Sequence, residues 1–457
     1  MVLADASITY GLADDPWRKE ILLAGLLSRD PVECLRYADE GPPKDLPRHQ
    51  VASMGDVVAG WAELLPSGVA PEVWEVRTGG PNRLSRSGIT GNRTQVATQD
   101  TRTSVYEDMP AAAAAERRTR DALAGQVAEA VHADIYLTDR PYLHAVTWPL
   151  ARGMTVLDVD QALPLISLYL RAQGQHLIWR SQDGTATLQL NRGFFYWVGS
   201  RELLPSGWRW SHAFAQLSQS TGDDTLLLLS QSVLQRIARA LQVRDRVHIA
   251  LNQPQDNDIA EDALSALDVV LLLLMGAVDA TARVVHQVLQ ISGSAFDAAW
   301  QRARWLSKVL KVAPGFAVLI GNSTTGCHAL TVLRILRNSV HGATLQSLAL
   351  KKGTEPLRTL VGIPPAEAKE LLAAVAELGG PAAWGIEEIL PGRFHADPGV
   401  LLERLLPQIF ELLNAIMDAT PVESLEGVVI DPSHRQPPTI DPYDIRSRLS
   451  VRWQLGF

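Results

Sequence analysis

Val269 to Val278 is a run of ten uncharged, almost wholly apolar residues between Asp268 and Asp279. It is too short to cross a bilayer, whose apolar core needs about 20 helical residues. It lies within a longer stretch, Ala260 to Leu289, with apolar residues at helical spacing, so this helix must be buried. Such a helix needs other helices around it. Asp224 to Leu241, Ala295 to Leu310, Cys327 to Val340, Pro365 to Leu378 and Pro398 to Met417 carry the same periodicity. Gly293, Pro314, Gly353, Gly379 and Pro391 punctuate them. Residues 223–420 are therefore expected to form a helical bundle without a sheet.

The first third reads differently. Met1 to Ala4 is a short apolar start ending at Asp5, and Glu20 to Leu27 and Val57 to Leu65 have helical periodicity. Arg77 to Thr103, rich in Gly, Ser, Thr, Asn and Arg, reads as a loop insertion. Ala111 to Val131 is a helix by propensity, Ile135 to Leu137 and Met154 to Leu157 are strands, and Gln161 to Ala172 is a helix ended by Gly174. Residues 1–173 are thus expected to be an α/β domain on a parallel sheet.

Between the two lies an aromatic-rich segment, residues 174–222. It alternates apolar and polar residues from His176 to His212, with turn points at Gly184 and Gly193, and is expected to be a small β element. Trp179, Phe194, Phe195, Tyr196, Trp197, Trp208 and Trp210 concentrate there, interleaved with Arg180, Arg192, Arg201 and Arg209. The set could stack on bases; the plainer reading is a sheet core rimmed by arginine. The proline-rich residues 421–457 read as an extended tail.

At 457 residues the chain has room for two or three domains. Its two cysteines, Cys34 and Cys327, cannot build a disulfide framework or a cysteine-rich zinc module, and they suit a reducing cytoplasm. Met1 to Asp15 has neither a basic start nor a long apolar run, so no signal peptide and no membrane partner are expected. A net charge of −8 argues against a surface that coats nucleic acid broadly, but leaves room for a local basic groove.

The polar residues with most chemical content lie in Leu333-Arg334-Ile335-Leu336-Arg337-Asn338-Ser339-Val340-His341-Gly342. Helical spacing puts Arg334, Arg337, Asn338 and His341 on one stripe, with Leu333, Leu336 and Val340 nearer the other side. A guanidinium can clamp phosphate oxygens, and an imidazole can move a proton near neutral pH. Together they suit work on a phosphodiester. The plainer reading is a helix end with solvated arginines. Gly321-Asn322-Ser323-Thr324-Thr325-Gly326 has no lysine after it and reads as a loop capping the next helix, not a phosphate loop. His286 reads as a packed core residue, and His248, His328 and His395 lack metal-ligand spacing.

The arginine–histidine block resembles the signature of the HEPN superfamily (higher eukaryotes and prokaryotes nucleotide-binding), all-helical domains that include metal-independent RNases. Arg337-Asn338 supplies the family's arginine-plus-polar pair, three residues before His341; Arg334 stands six residues before it but is followed by Ile335. The resemblance implies cleavage of single-stranded RNA with no cofactor. Arg334 or Arg337 would hold the scissile phosphate, His341 would act as general acid or base on the 2′-OH or leaving oxygen, and Asn338 would orient one of them. It also implies a homodimer, and a defence-system or antitoxin partner. Members that have lost catalysis serve as scaffolds or sensors.

A second set is acidic. Asp5 ends the first strand, Asp121 is read as opening the helix before Ile135, and Asp139 follows that strand in Thr138-Asp139-Arg140. Ligands of parallel α/β sheets bind beyond the carboxyl ends of the strands. Over residues 120–165 this resembles PIN-domain nucleases. That resemblance implies Mg²⁺ or Mn²⁺ held by Asp5, Asp121 and Asp139, with Glu33 and Glu40 the nearest matches to a further acid. The expectation overall is a cytoplasmic, RNA-directed protein, an endoribonuclease or an inactive scaffold.

Overall fold

A strand buried on both faces belongs inside a sheet, and β1 (Val2–Asp5) is buried at all four positions. The computed structural model describes the chain except residues 6–7, 9–18, 28, 40–59, 71–72, 81–82, 91, 101–103, 146–153, 181–185, 340–344, 352–356 and 436–444. β1 pairs in parallel with β2 (Cys34–Tyr37) on one side and β6 (Ile135–Leu137) on the other. β3 (Gly60–Pro66) and β7 (Thr155–Leu157) extend the parallel set, and β4 (Val73–Gly80) and β5 (Arg83–Thr90) add an antiparallel hairpin. The order is β5-β4-β3-β2-β1-β6-β7. The sheet is therefore mixed, with a parallel core.

Alternation along β1 sends Val2 and Ala4 to one face and Leu3 and Asp5 to the other. The first face packs on α1 (Lys19–Leu27) and α5 (Val159–Ala172) through Leu22, Leu23, Leu26, Leu163, Ile166 and Leu170. The second packs on α3 (Ala111–Ala130) through Ala124, Val127 and Ala128, against Leu35, Tyr37 and Tyr136. Asp158 caps α5: its side chain accepts from Gln161 N at 2.8 Å and Gln161 reaches back to Asp158 N at 3.3 Å.

Two expectations for this region are corrected. Of the segment Val57 to Leu65, read as a helix, the described residues from Gly60 lie in β3. Arg77 to Thr103, read as a loop, holds the second half of β4 and all of β5 and α2 (Asn92–Gln99). The apolar run was too short to show a period, and the Gly, Ser, Thr and Arg residues belong to strands at the sheet's edge, where polar residues are usual.

The contacts divide the chain into two units, residues 1–190 with 449–457, and residues 191–448. The first also holds α4 (Pro141–Ala145) and the hairpin of β8 (His176–Arg180) and β9 (Ala186–Leu190). The aromatic segment was expected to be β throughout. Beyond the hairpin it is α6 (Arg192–Leu203) and α7 (Gly207–Thr221), which carry Phe194 through Trp210.

The second unit is built on α8 (Thr225–Leu251) and α9 (Asn257–Val288). Asp256 caps α9 by accepting from Ile259 N at 2.8 Å. α9 alone among the described helices is long and apolar enough to cross a membrane, yet 56% of its apolar window is buried inside the unit, as a core helix requires. α10 (Ala303–Val312), α11 (Ala317–Ile320), α12 (Thr325–Ser339), α13 (Pro365–Glu377) and α14 (Pro398–Ala419) follow. Thr324 caps α12 by accepting from Cys327 N at 3.1 Å, so the Gly321–Gly326 loop has the role expected of it.

The bundle is not purely helical. β10 (Ser347–Leu350), β11 (Arg358–Gly362), β12 (Ile386–Leu390) and β13 (Arg393–Ala396) form a four-stranded antiparallel sheet, ordered β10-β11-β13-β12. This overturns the sheet-free expectation. Strands of four or five residues between Gly and Pro carry no readable period. The tail is not extended throughout either: it ends in α15 (Ile445–Gln454).

Candidate functional site

Strand parity decides which polar groups meet above the parallel strands. Asp5 follows Leu3, Asp39 follows Leu35 and Tyr37, and Arg140 follows Tyr136 and Thr138, each at intervals of two on the face toward α3. There the Arg140 guanidinium binds three carboxylates. Its Nε donates to Asp5 Oδ2 at 2.6 Å, its Nη2 to Asp5 Oδ1 at 3.3 Å and Asp39 Oδ1 at 2.9 Å, and its Nη1 to Asp121 Oδ1 at 3.4 Å. Tyr136 and Thr138 also donate to Asp5 Oδ2, at 3.0 and 2.9 Å. Tyr106 donates to Asp121 Oδ2 at 2.7 Å from a backbone held at φ 69°, which few aromatic residues adopt.

Asp5, Asp121 and Arg140 are all buried. Burial pushes the Asp121 carboxyl up, and its contacts with Tyr106, Arg140 and Arg117 pull it back only in part. Burial works against the charge on Arg140, but Tyr136, Asp5 and Asp39 outweigh it and hold the guanidinium above the ordinary arginine range. The Tyr106 hydroxyl, desolvated and bonded to Asp121, is pushed up to about 12. The cluster lies at the carboxyl ends of β1 and β6, where the strand order reverses and parallel sheets receive ligands.

The expected metal set does not fit this arrangement. All three nitrogens of Arg140 stand among the carboxylates a divalent cation would need. Asp139 has the opposite parity and is exposed, whereas Asp5 and Asp121 are buried. Asp121 does not open its helix; it lies mid-way along α3, which starts at Ala111. Glu33 is exposed, and Glu40 lies outside the described residues. Among the described residues no three His, Cys, Asp or Glu side chains are grouped to hold a metal. Sequence reasoning missed Asp39 and Arg140; their parity with Tyr37 and Tyr136 was the available signal.

On α12, Leu333 and Leu336 are buried and Arg334, Arg337 and Asn338 are half-buried, so the polar stripe exists. Its members are committed differently. Arg334 is ion-paired with Glu370 of α13. Arg337 Nη1 lies 3.4 Å from Asn338 Oδ1, and its Nε is buried with no hydrogen-bond partner. Its charge instead acts on Asp279 of α9. His341 lies outside the described residues, as do Val340 and Gly342. His286 is a core residue, accepting from Trp305 Nε1 at Nδ1 over 3.1 Å.

The aromatic segment stacks on itself. Phe194 and Trp197 are stacked at 5.4 Å, and the Arg201 guanidinium lies 5.1 Å from the Trp197 ring and 4.5 Å from the Trp208 ring. His212 and His434 continue the series, stacked at 4.4 Å. Phe195, Tyr196 and Trp210 are buried. The rings thus serve mainly as structure. No known protein family, curated protein or solved structure matches this chain.

Proposed function

We propose that the second unit is an RNA-directed module that cleaves single-stranded RNA without a metal. In this reading Arg337 holds the scissile phosphate, Asn338 orients it, and His341 moves the proton to or from the 2′-OH or the leaving oxygen. What supports it is Arg337: a half-buried guanidinium beside Asn338, on the stripe whose sequence spacing continues to His341. Arg334 is the weaker candidate because Glu370 already holds it. The reading carries with it a homodimer, a cytoplasmic setting and a role in defence or in a toxin–antitoxin pair. The first unit is PIN-like only in layout under this proposal. Its carboxylates hold Arg140 and do no metal chemistry of their own.

A scaffold or sensor without catalysis is the second reading, favoured by the three-residue gap between Arg337 and His341. Incubating the full chain with labelled single-stranded RNA, with and without EDTA, separates the readings. Cleavage that survives EDTA and is lost in His341→Ala supports the proposal. Cleavage abolished by EDTA returns the chemistry to the acidic residues. No cleavage in either condition leaves the scaffold.

A further inference from the structure

Around Asp279 the charges do not balance. Gly276, Asp279 and Arg283 share the half-exposed face of α9, three and four residues apart. The guanidinia of Arg337, Arg283, Arg236 and Arg302 all act on the Asp279 carboxyl. Arg302 is paired with Asp297 at 2.7 Å. The other three have Asp279 between them. That leaves two positive charges uncompensated among the described residues.

Packing brings these charges together. Arg236, from α8, lies across Gly276, where an added Cβ would come within 3.0 Å of its Nε. A larger residue at 276 would displace it. The Nε atoms of Arg283 and Arg337 are buried without partners. Clustered guanidinia repel one another, and an anion at the half-exposed face relieves that repulsion. A phosphate does so best, because it accepts in the planar fork a guanidinium offers.

A second feature adjoins the first. Phe296 is 81% exposed, and the Arg283 guanidinium lies 5.5 Å from its ring centre. A ring so exposed has a face open for stacking. Arginine for the backbone and an aromatic ring for the base is how proteins hold single strands.

Resting on the reading of this unit as RNA-directed, we propose that the face carrying Arg236, Arg283 and Phe296 is a track for single-stranded RNA. Arg236 and Arg283 hold the phosphate next to the one on Arg337, and a flanking base stacks on Phe296. Asp279 repels the strand and sets how tightly it binds.

The test is fluorescence anisotropy on the full chain, using a labelled uridine octamer made uncleavable by 2′-O-methylation and the same backbone without bases. Arg236→Ala and Arg283→Ala should each weaken binding by about tenfold, the size of a charge-assisted contact, and flatten its salt dependence. Phe296→Ala should weaken binding of the base-bearing octamer by roughly 5- to 150-fold and leave the abasic one unchanged. Asp279→Asn should tighten both by about fivefold. The track is overturned by a parent that binds neither probe, by a Phe296→Ala variant equally affected on both, or by an Asp279→Asn variant that binds no tighter. If a variant fails to fold, the parent protein decides: preference for the base-bearing probe supports the track, and equal binding of the two probes overturns it. If cleavable RNA stays intact while these results hold, the cleavage reading falls and the track stands. If RNA is cut but the variants bind as the parent does, the track falls alone.

Discussion

Arg140 is the residue on which the first unit's polar core depends. It carries one positive charge among three carboxylates, two of them buried, and every nitrogen of its side chain is engaged. Removing one partner of a buried ion pair typically costs about 3–5 kcal/mol, because the remaining charge stays behind unpaired. Arg140→Ala should therefore lower stability in urea unfolding by about that much. A loss under about 1 kcal/mol would mean the carboxylates do not need it. Asp121 gives a prediction with a definite sign. Burial raises its carboxyl above the ordinary 3.8, so the folded state resists its ionisation. Stability from this group is full below the unfolded value and is lost as pH rises through the folded one. Asp121→Asn should thus raise the Tm at neutral pH, with the gain shrinking as pH falls toward 3.8. A gain that grows on acidification would show the shift has the other sign.

At the scale of elements, α12 divides its stripe between two neighbours. Arg334 faces Glu370 on α13, and Arg337 acts on Asp279 of α9. Arg334→Ala should cost about 1 kcal/mol or less, as partly exposed ion pairs do, and leave RNA cleavage near the parent's rate. If the second unit cleaves RNA as proposed, Arg337→Ala should slow cleavage by about 10²- to 10³-fold, the usual effect of losing a group that stabilises developing charge. Rates for both variants, measured beside their melting temperatures, decide it; an equal loss in both would return Arg334 to the site. The long helices were legible in the sequence because apolar spacing repeats over many turns, as in Leu264, Leu267, Leu271, Leu274 and Val278. The strands of Ser347–Leu350 and Arg393–Ala396 were not, since four residues hold no period. The stripe on α12 was legible for the same reason as the helices; its partners Glu370 and Asp279 were not, because nothing in a sequence says which distant charge a side chain will meet. Asp5 was legible as the end of the first strand; Arg140 was not read, although its parity with Tyr136 and Thr138 was the available signal.

On the scale of the whole molecule, the first unit is made from both ends of the described chain. Val451 and Leu455 are fully buried in it. Gln454 accepts from Ser167 Oγ at 2.9 Å and donates to the Leu177 carbonyl at 2.9 Å. Arg171 Nη1 donates to the Gln454 carbonyl at 3.0 Å. A chain stopped after Arg448 should lose about 3–6 kcal/mol from the first unit, at roughly 1.5–3 kcal/mol for each of the two buried aliphatic side chains. Urea unfolding with limited proteolysis reads this; unchanged protection of residues 1–190 would count against it. The arrangement also sets a clock on synthesis. Residues 1–190 leave the ribosome first, but their last buried pieces arrive only after the 258 residues from 191 to 448. At about 5–20 residues per second the wait is roughly 10 to 50 s. A stalled or broken nascent chain never receives the closing segment, so every molecule with a finished first unit also carries the second.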